Sequence, residues 1–118
     1  MKRLYAVLMT AVLLLATGCP KLEVVARDGI ASAKGVIETQ QALNLAACQA
    51  DPAKEICVNI NKAVAAHNVA VDALSAYCGF TESSSATDAC VPVKGFEAAL
   101  RGALGNLEPA IKHLKGAL

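Results

Sequence analysis

Apolar residues recur every three or four positions over three long stretches of the chain, which is the spacing of one face of an α-helix. The first stretch runs from Leu22 to Ala50 and the second from Pro52 to Tyr77. The third runs from Val93 to Leu118, after residues 79–92, which have the composition of a loop. No stretch has the pattern of a strand. The sequence therefore predicts an all-α fold, a small up-down-up three-helix bundle over residues 22–118.

Each predicted helix has one stripe of residues, mostly apolar, that is expected to face the interior of the bundle. The stripes consist of Leu22, Ala26, Gly29, Ile30, Ala33, Ile37, Gln40, Asn44 and Ala47; of Ile56, Ile60, Val64, His67, Val71 and Leu74; and of Val93, Phe96, Leu100, Leu104, Leu107, Ile111, Leu114 and Leu118. A second strip on the middle helix, formed by Val58, Ala65 and Val69, is expected to be core because this helix meets two neighbours.

Local signals add detail to the helices. Asp51 is placed to cap the second helix, with Pro52 at its first position. Pro109 lies inside the third stripe without shifting its phase, so we expect a kink there and not a stop. Gly102 and Gly105 are expected to let the third helix pack closely against the first, and the alternative is a flexible hinge at this part of the helix.

Three polar residues interrupt the stripes and predict a polar layer inside the bundle. Gln40 and Asn44 belong to the first helix, and His67 lies at the centre of the second helix's stripe. If these helices fold back on each other, His67 comes level with Glu38, within one turn of Gln40. Such a layer fixes the register of the helices, and its alternative role is pH sensing or ligand contact. We interpret it as structural.

The first nineteen residues differ in character from the rest. Lys2 and Arg3 precede thirteen mostly apolar residues, from Leu4 to Ala16. Thirteen residues are too few for a bilayer-spanning helix, which needs about 20, but they suit the apolar core of a secretory signal. The segment ends in Ala-Thr-Gly-Cys at residues 16–19, without the A-x-A site of an ordinary signal peptide.

This ending resembles the lipobox of bacterial lipoproteins, in which a small residue precedes an obligatory cysteine. Ala16 departs from the Leu or Val that many members have there. The resemblance implies that residues 1–18 are a removed signal peptide, that lipid is attached to Cys19, and that residues 19–21 form a short tether. Pro20 stands where many inner-membrane members have Asp, which favours the outer membrane and the periplasmic face of the cell envelope. The alternative is an ordinary signal peptide, or an uncleaved anchor, with a coincidental cysteine.

The later cysteines, Cys48, Cys57, Cys78 and Cys90, predict two disulfides because an exported chain meets an oxidising compartment. Cys57 and Cys78 lie 21 residues apart on one predicted helix, about 32 Å at 1.5 Å per residue, whereas bridged Cα atoms lie within about 7 Å. Pairing Cys48 with Cys78 and Cys57 with Cys90 would stretch both connections along the helix. Cys48–Cys57 and Cys78–Cys90 remain. The cysteines lack Cys-x-x-Cys spacing, which argues against a thiolate metal site and redox catalysis.

Composition and charge narrow the function further. The chain has 118 residues, a formal net charge of +1 and only 3% aromatic residues, with no Trp. It therefore lacks the basic patch and the stacking surface of a nucleic-acid-binding protein. Without Lys2 and Arg3, nine basic residues balance ten acidic ones, so the remaining chain has no strong electrostatic field to steer partners.

The residues that could perform chemistry form no catalytic pattern. The sequence has no G-x-S-x-G motif. His67 and His113 lie on differently directed helix faces, so they are not expected to share a metal. The acidic residues are scattered over solvent-facing positions. We expect no enzymatic activity, no metal, and no cofactor besides the covalent lipid on Cys19.

These observations predict a lipid-anchored cell-envelope protein that acts as a non-catalytic structural or protein-interaction module. Its expected partners are the membrane, through the lipid, and an envelope protein. Two alternatives stay open. One is a small-ligand or lipid carrier with a cavity around His67 and Gln40. The other is an inhibitor or immunity-type protein that acts through the 79–92 loop, with Ser83-Ser84-Ser85 at its tip. The sequence selects no oligomeric state.

Overall fold

The computed structural model describes residues 21–81 and 89–116. They form α1 (Leu22–Ala50), α2 (Glu55–Tyr77) and α3 (Glu97–Gly116), with one 3₁₀ turn at Lys94–Phe96 before α3. These ranges contain no strand. Because α2 packs against both other helices and α1 also contacts α3, the predicted up-down-up three-helix bundle is confirmed.

The two disulfides lie at opposite ends of the bundle. Cys48–Cys57 joins the end of α1 to the start of α2, with 5.6 Å between the Cα atoms. Cys78–Cys90 joins the end of α2 to the segment before α3, with a Cα separation of 4.4 Å. Both predicted pairings are confirmed. The two ends are called the Cys48 end and the Cys78 end below. Both α1 and α3 begin at the Cys78 end.

The core is built mainly from alanine and medium-sized aliphatic side chains. Its larger cluster contains Ala33, Ile37, Ile60, Ala63, Ala70, Ala103, Leu107, Ile111 and Leu114. A smaller cluster at the Cys78 end contains Ala26, Tyr77, Cys78 and Leu100. Each alanine buries little apolar area, and the hydrophobic effect scales with that area. Restraint of the unfolded chain by two disulfides therefore matters for the stability of this domain.

The start of α2 differs from the prediction. Asp51 does not cap α2, which begins four residues later at Glu55. Asp51 instead ends α1, where its N–H donates to the Ala47 carbonyl, and its Oδ1 accepts the N–H of Ala53 at 3.2 Å. Lys54 then donates its N–H to the Asp51 carbonyl. The Asp51 carboxylate stabilises the turn at residues 51–54, so it is not available as a helix cap.

The buried face of α2 also differs from its predicted stripe. Ala63 and Ala70 are fully buried, whereas Val71 is exposed and Val64 only partly buried. The second strip, Val58, Ala65 and Val69, is exposed and not core. Large aliphatic residues dominated the predicted stripe, but the face that meets both neighbouring helices is centred on alanines. A step of one residue turns a helix face by about 100°, which explains the displacement.

The third stripe is confirmed from Leu100 to Leu114, and α3 continues through Pro109. Val93 and Phe96, which were predicted to face the core, are exposed. The reason is that regular helix begins only at Glu97, so the helical period does not extend back to these two residues. Leu118 lies outside the described residues.

Candidate functional site

Gln40 is the one buried polar side chain of the described residues, with 2% of its surface exposed. Its Nε2 donates to the carbonyl of Leu114, at 2.9 Å. Leu114 belongs to the last turn of α3, where carbonyls have no helical partner. Asn44 Nδ2 lies 2.9 Å from both Gln40 Oε1 and the Gln40 carbonyl. The two amides therefore link α1 to the end of α3.

His67 does not take part in this hydrogen-bonded layer. Its Nε2 is buried and has no hydrogen-bond partner in the described part of the chain. The Gln40 side chain is engaged with Leu114 of α3 and with Asn44. The prediction placed His67 from helix levels alone, and levels do not say toward which neighbouring helix a side chain points. His113 is exposed and lines a different surface, between α2 and α3.

One group of potential metal ligands lies close together, formed by Glu23, Cys78 and Cys90. Both sulfur atoms belong to the disulfide, so neither is a thiolate that could bind a metal. The Glu23 carboxylate accepts from Arg27 Nε at 2.9 Å. These three residues lie close together because the first turn of α1 packs against the disulfide, and they do not form a metal site.

A groove of about 540 Å³ separates α1 from α3. Its base includes Ala33, Leu107 and Ile111, and exposed Lys112 and Lys115 also line it. The two helices contact each other elsewhere, but the close contact that was predicted at their glycines is absent. A Cβ added at any of the glycines concerned would meet no described atom within 4 Å; these are Gly29, Gly102 and Gly105.

Two further grooves lie at the Cys48 end, one between α2 and α3 and one between α1 and α2. His67 and Gln40 were predicted to border a ligand cavity, but neither residue lines any of these three grooves. Among these three, the groove between α1 and α3 has the apolar base that a carrier function needs.

Apolar side chains gather on the surface at the Cys78 end. Val91, Val93 and Phe96 are 70%, 38% and 45% exposed, and we call them the Cys78-end patch. The sequence interpretation assigned Val93 and Phe96 to the core and gave Val91 no role. Pro92 and Gly95 are the signal that could have corrected this, because both residues interrupt a helical period.

Several predicted residues lie outside the described ranges. They are Cys19 and the tip of the 79–92 loop, Ser83-Ser84-Ser85. No helix within residues 21–81 and 89–116 is both long and apolar enough to cross a membrane. Comparison with protein-family models, with curated proteins and with solved structures finds no match to this chain. The candidate sites therefore rest on this chain's own residues.

Proposed function

We propose that this chain is a lipid-anchored protein of the bacterial cell envelope, a non-catalytic structural or protein-interaction module held at the membrane by lipid on Cys19. The N-terminal segment carries this proposal, with its basic start, its apolar core and its Thr-Gly-Cys ending at residues 17–19. The bundle follows at once, since Lys21 is already the residue that precedes α1. The domain would therefore sit close to the membrane, with no long tether.

The two disulfides support export of the chain. Disulfides persist in oxidising compartments such as the periplasm and are rare in the cytosol. Here the helices bring each pair within bridging distance, 5.6 Å and 4.4 Å between Cα atoms. Each bridge closes a short loop and is worth roughly 2–3 kcal/mol in the chain-entropy model. An exported chain would gain this stabilisation, whereas a cytosolic one would not.

The polar interactions support a non-catalytic role. Gln40 binds a helix carbonyl and another amide, so it joins two helices and is not free to contact a substrate. The ion pairs of the described residues each connect residues one turn apart on the same helix. Glu23–Arg27 is partly buried beside the Cys78–Cys90 disulfide, and Lys34–Glu38 and Glu97–Arg101 are exposed. Pairs of this type stabilise a helix surface slightly and do not assemble a reaction centre.

The mass of the intact, non-reduced protein recovered from a membrane fraction tests the anchor. We expect a chain that begins at Cys19, carries a lipid adduct and is lighter by about four hydrogens than the all-thiol form. The matched control is Cys19→Ser in the full chain, which we expect to lose both the adduct and the processing. A soluble chain without lipid would contradict the proposal.

Membrane fractionation tests the assignment to the outer membrane. We expect the lipid-bearing chain to sediment with the outer membrane, because Pro20 stands at the position where many lipoproteins of the inner membrane have Asp. The variant Pro20→Asp should then move the protein to the inner-membrane fraction. If Pro20→Asp and the natural chain sediment together in the inner membrane, the outer-membrane assignment is wrong and the lipid anchor stands.

A second candidate function is a carrier of acyl ligands, which the groove between α1 and α3 favours. Its base is apolar, and its charged lining consists of Lys112, Lys115 and the single acid Glu108, an excess of positive charge that suits a chain with an anionic head. Its volume lies within the usual range of ligand sites. Bound ligand would stabilise the fold, so the melting temperature should rise as palmitate is added.

Two glycine variants separate this candidate from non-specific binding. Gly29 lines the groove, and its missing side chain leaves open space. The variant Gly29→Leu would fill the groove and abolish the rise in melting temperature. The matched control is Gly35→Leu, at an equally open glycine that is not part of the groove lining, which should keep the rise. A melting temperature that palmitate does not change excludes this candidate.

A further inference from the structure

Aromatic side chains are confined to one end of the bundle. In the described ranges they are Tyr77, Phe80 and Phe96. Tyr77 and Phe80 flank Cys78 at the end of α2, and Phe96 follows the segment that is bonded to that end through Val91 and Val93. Tyr77 is buried in the smaller core cluster, and Phe80 packs against it with the Arg27 guanidinium 5.5 Å from its ring centre. Phe96 instead projects half-exposed from the Cys78-end patch. An exposed aromatic is notable in a chain with so few.

The Cys78-end patch is held in place by the backbone. The N–H of Val91 donates to the Cys78 carbonyl at 3.2 Å, and the N–H of Val93 to the Tyr77 carbonyl at 2.8 Å. Phe96 in turn donates its N–H to the Val93 carbonyl at 3.0 Å. The fold thus holds the backbone of this segment against the end of α2 and leaves the side chains of Val91, Val93 and Phe96 exposed. Exposed apolar residues that lie close together on a surface are typical of an interaction site.

The charges around this patch favour an anionic surface as the partner. Lys21 and Lys94 are exposed and form no ion pair with a described residue. The described acids nearby, Glu23 and Glu97, are each paired with an arginine of their own helix, at 2.9 Å and 3.0 Å. The unpaired charges at the start of α1 and within the patch segment, Lys21 and Lys94, are therefore positive, as in segments that bind anionic headgroups. The exposed Asp28 and Asp72 lie more than one helical turn further from this end, along α1 and α2.

The place where α1 begins decides between a membrane and a protein partner. Lys21 precedes α1 at the Cys78 end, and only Pro20 separates it from Cys19. Two residues span at most about 7 Å. Lipid on Cys19 would therefore bring this end of the bundle, and not the Cys48 end, against the bilayer surface.

We propose that the Cys78-end patch docks onto the lipid bilayer. Val91, Val93 and Phe96 enter the boundary between headgroups and acyl chains, where aromatic side chains are favoured, and Lys21 and Lys94 lie among the phosphates. The Cys48 end then faces away from the membrane and is the end left free for an envelope partner. This inference rests on the proposed lipid anchor on Cys19.

Tryptophan fluorescence tests the docking, because the chain has no Trp of its own. Phe96→Trp places one probe in the patch, and Leu43→Trp places a matched probe at an exposed apolar residue of α1 toward the Cys48 end. Each lipid-bearing full chain is incorporated into vesicles of phosphatidylethanolamine and phosphatidylglycerol, with or without lipid brominated on its acyl chains. We expect blue-shifted, strongly quenched emission from Phe96→Trp, and unshifted, unquenched emission from Leu43→Trp.

Each other outcome overturns the docking. Quenching of neither probe would mean that the patch stays in water, and quenching of both would mean that the bundle lies flat. A third outcome is a blue shift of the Phe96→Trp emission without quenching. If that shift increases with the amount of protein per vesicle, the partner of the patch is a second copy of the chain. The mass of the same samples keeps the two proposals apart, since a missing lipid adduct contradicts the anchor itself.

Discussion

The side-chain amide of Gln40 donates a hydrogen bond to the carbonyl of Leu114, 74 residues away in the chain. This bond joins the middle of α1 to the last turn of α3, the two helices that flank the open groove. Because it lies in a buried position, water cannot replace it without cost. It therefore ties α1 to α3 beside Lys115, which lines the groove.

The variant Gln40→Leu is expected to lower the free energy of unfolding by about 1–3 kcal/mol. It leaves the Leu114 carbonyl without its buried donor and removes one of the two acceptors of the Asn44 amide, and an unsatisfied buried group costs about that much. Urea denaturation measures the change. The control is Gln41→Leu at the exposed neighbouring position, which should stay within about 0.5 kcal/mol. Equal values for the two variants would show that the bond contributes nothing.

Replacing glycines inside the helices should stabilise the bundle. Gly35→Ala and Gly102→Ala each add a Cβ that meets no described atom within 4 Å, and alanine is favoured over glycine in a helix by about 0.5–1 kcal/mol. Gly79→Ala is the contrasting variant, because Gly79 has a φ of 68° that costs an alanine about 1 kcal/mol or more. Thermal melting should show opposite signs. A destabilising Gly102→Ala would indicate a close contact at α3 that the structure lacks.

Removing either disulfide should cost roughly 2–3 kcal/mol, since the two close loops of similar length. The double variants Cys48→Ala with Cys57→Ala, and Cys78→Ala with Cys90→Ala, measure this by denaturation. Reduction of both bridges should then remove a large part of the stability of a domain of this size. A melting temperature that does not respond to reductant would contradict this expectation.

The variant His67→Leu should raise the free energy of unfolding by about 1 kcal/mol. The Nε2 atom of His67 is buried without a hydrogen-bond partner among the described residues. Leucine removes this polar atom, and with it the desolvation cost that no hydrogen bond offsets. Asn68→Leu, at the exposed next residue, serves as the control and should change little. Loss of stability in His67→Leu would instead indicate that the imidazole makes a favourable interaction, as the ligand-contacting interpretation requires.

Helix periodicity and chain geometry were enough to predict the framework. The bounds of α1, Leu22–Ala50, agree with the predicted ones, because a long amphipathic pattern leaves little freedom. The pairing of Cys57 and Cys78 with different partners followed from the length of the second helix. These features depend on distances along the backbone, which the sequence specifies directly.

Side-chain direction could not be predicted in the same way. On α2, Ala63 and Ala70 are buried, whereas of the larger residues beside them Val64 is only partly buried and Val71 is exposed. A helix face that contacts two neighbouring helices favours small apolar residues over large ones. Gln40 was expected to meet His67 and meets Leu114 instead. Asp51 was expected to cap α2 and stabilises a turn. Each choice depends on which neighbouring element lies nearest, and helix periodicity does not contain that information.

The disulfide between Cys78 and Cys90 keeps the protein in one covalent piece when a protease cuts the segment between these two cysteines. The segment between these cysteines connects α2 to α3, and the bridge closes it into a covalent ring. A protease that cuts one peptide bond within the ring opens it but does not separate the chain. The fragment with α3 stays attached to the fragment with α1 and α2, and the nick appears as two bands only after reduction.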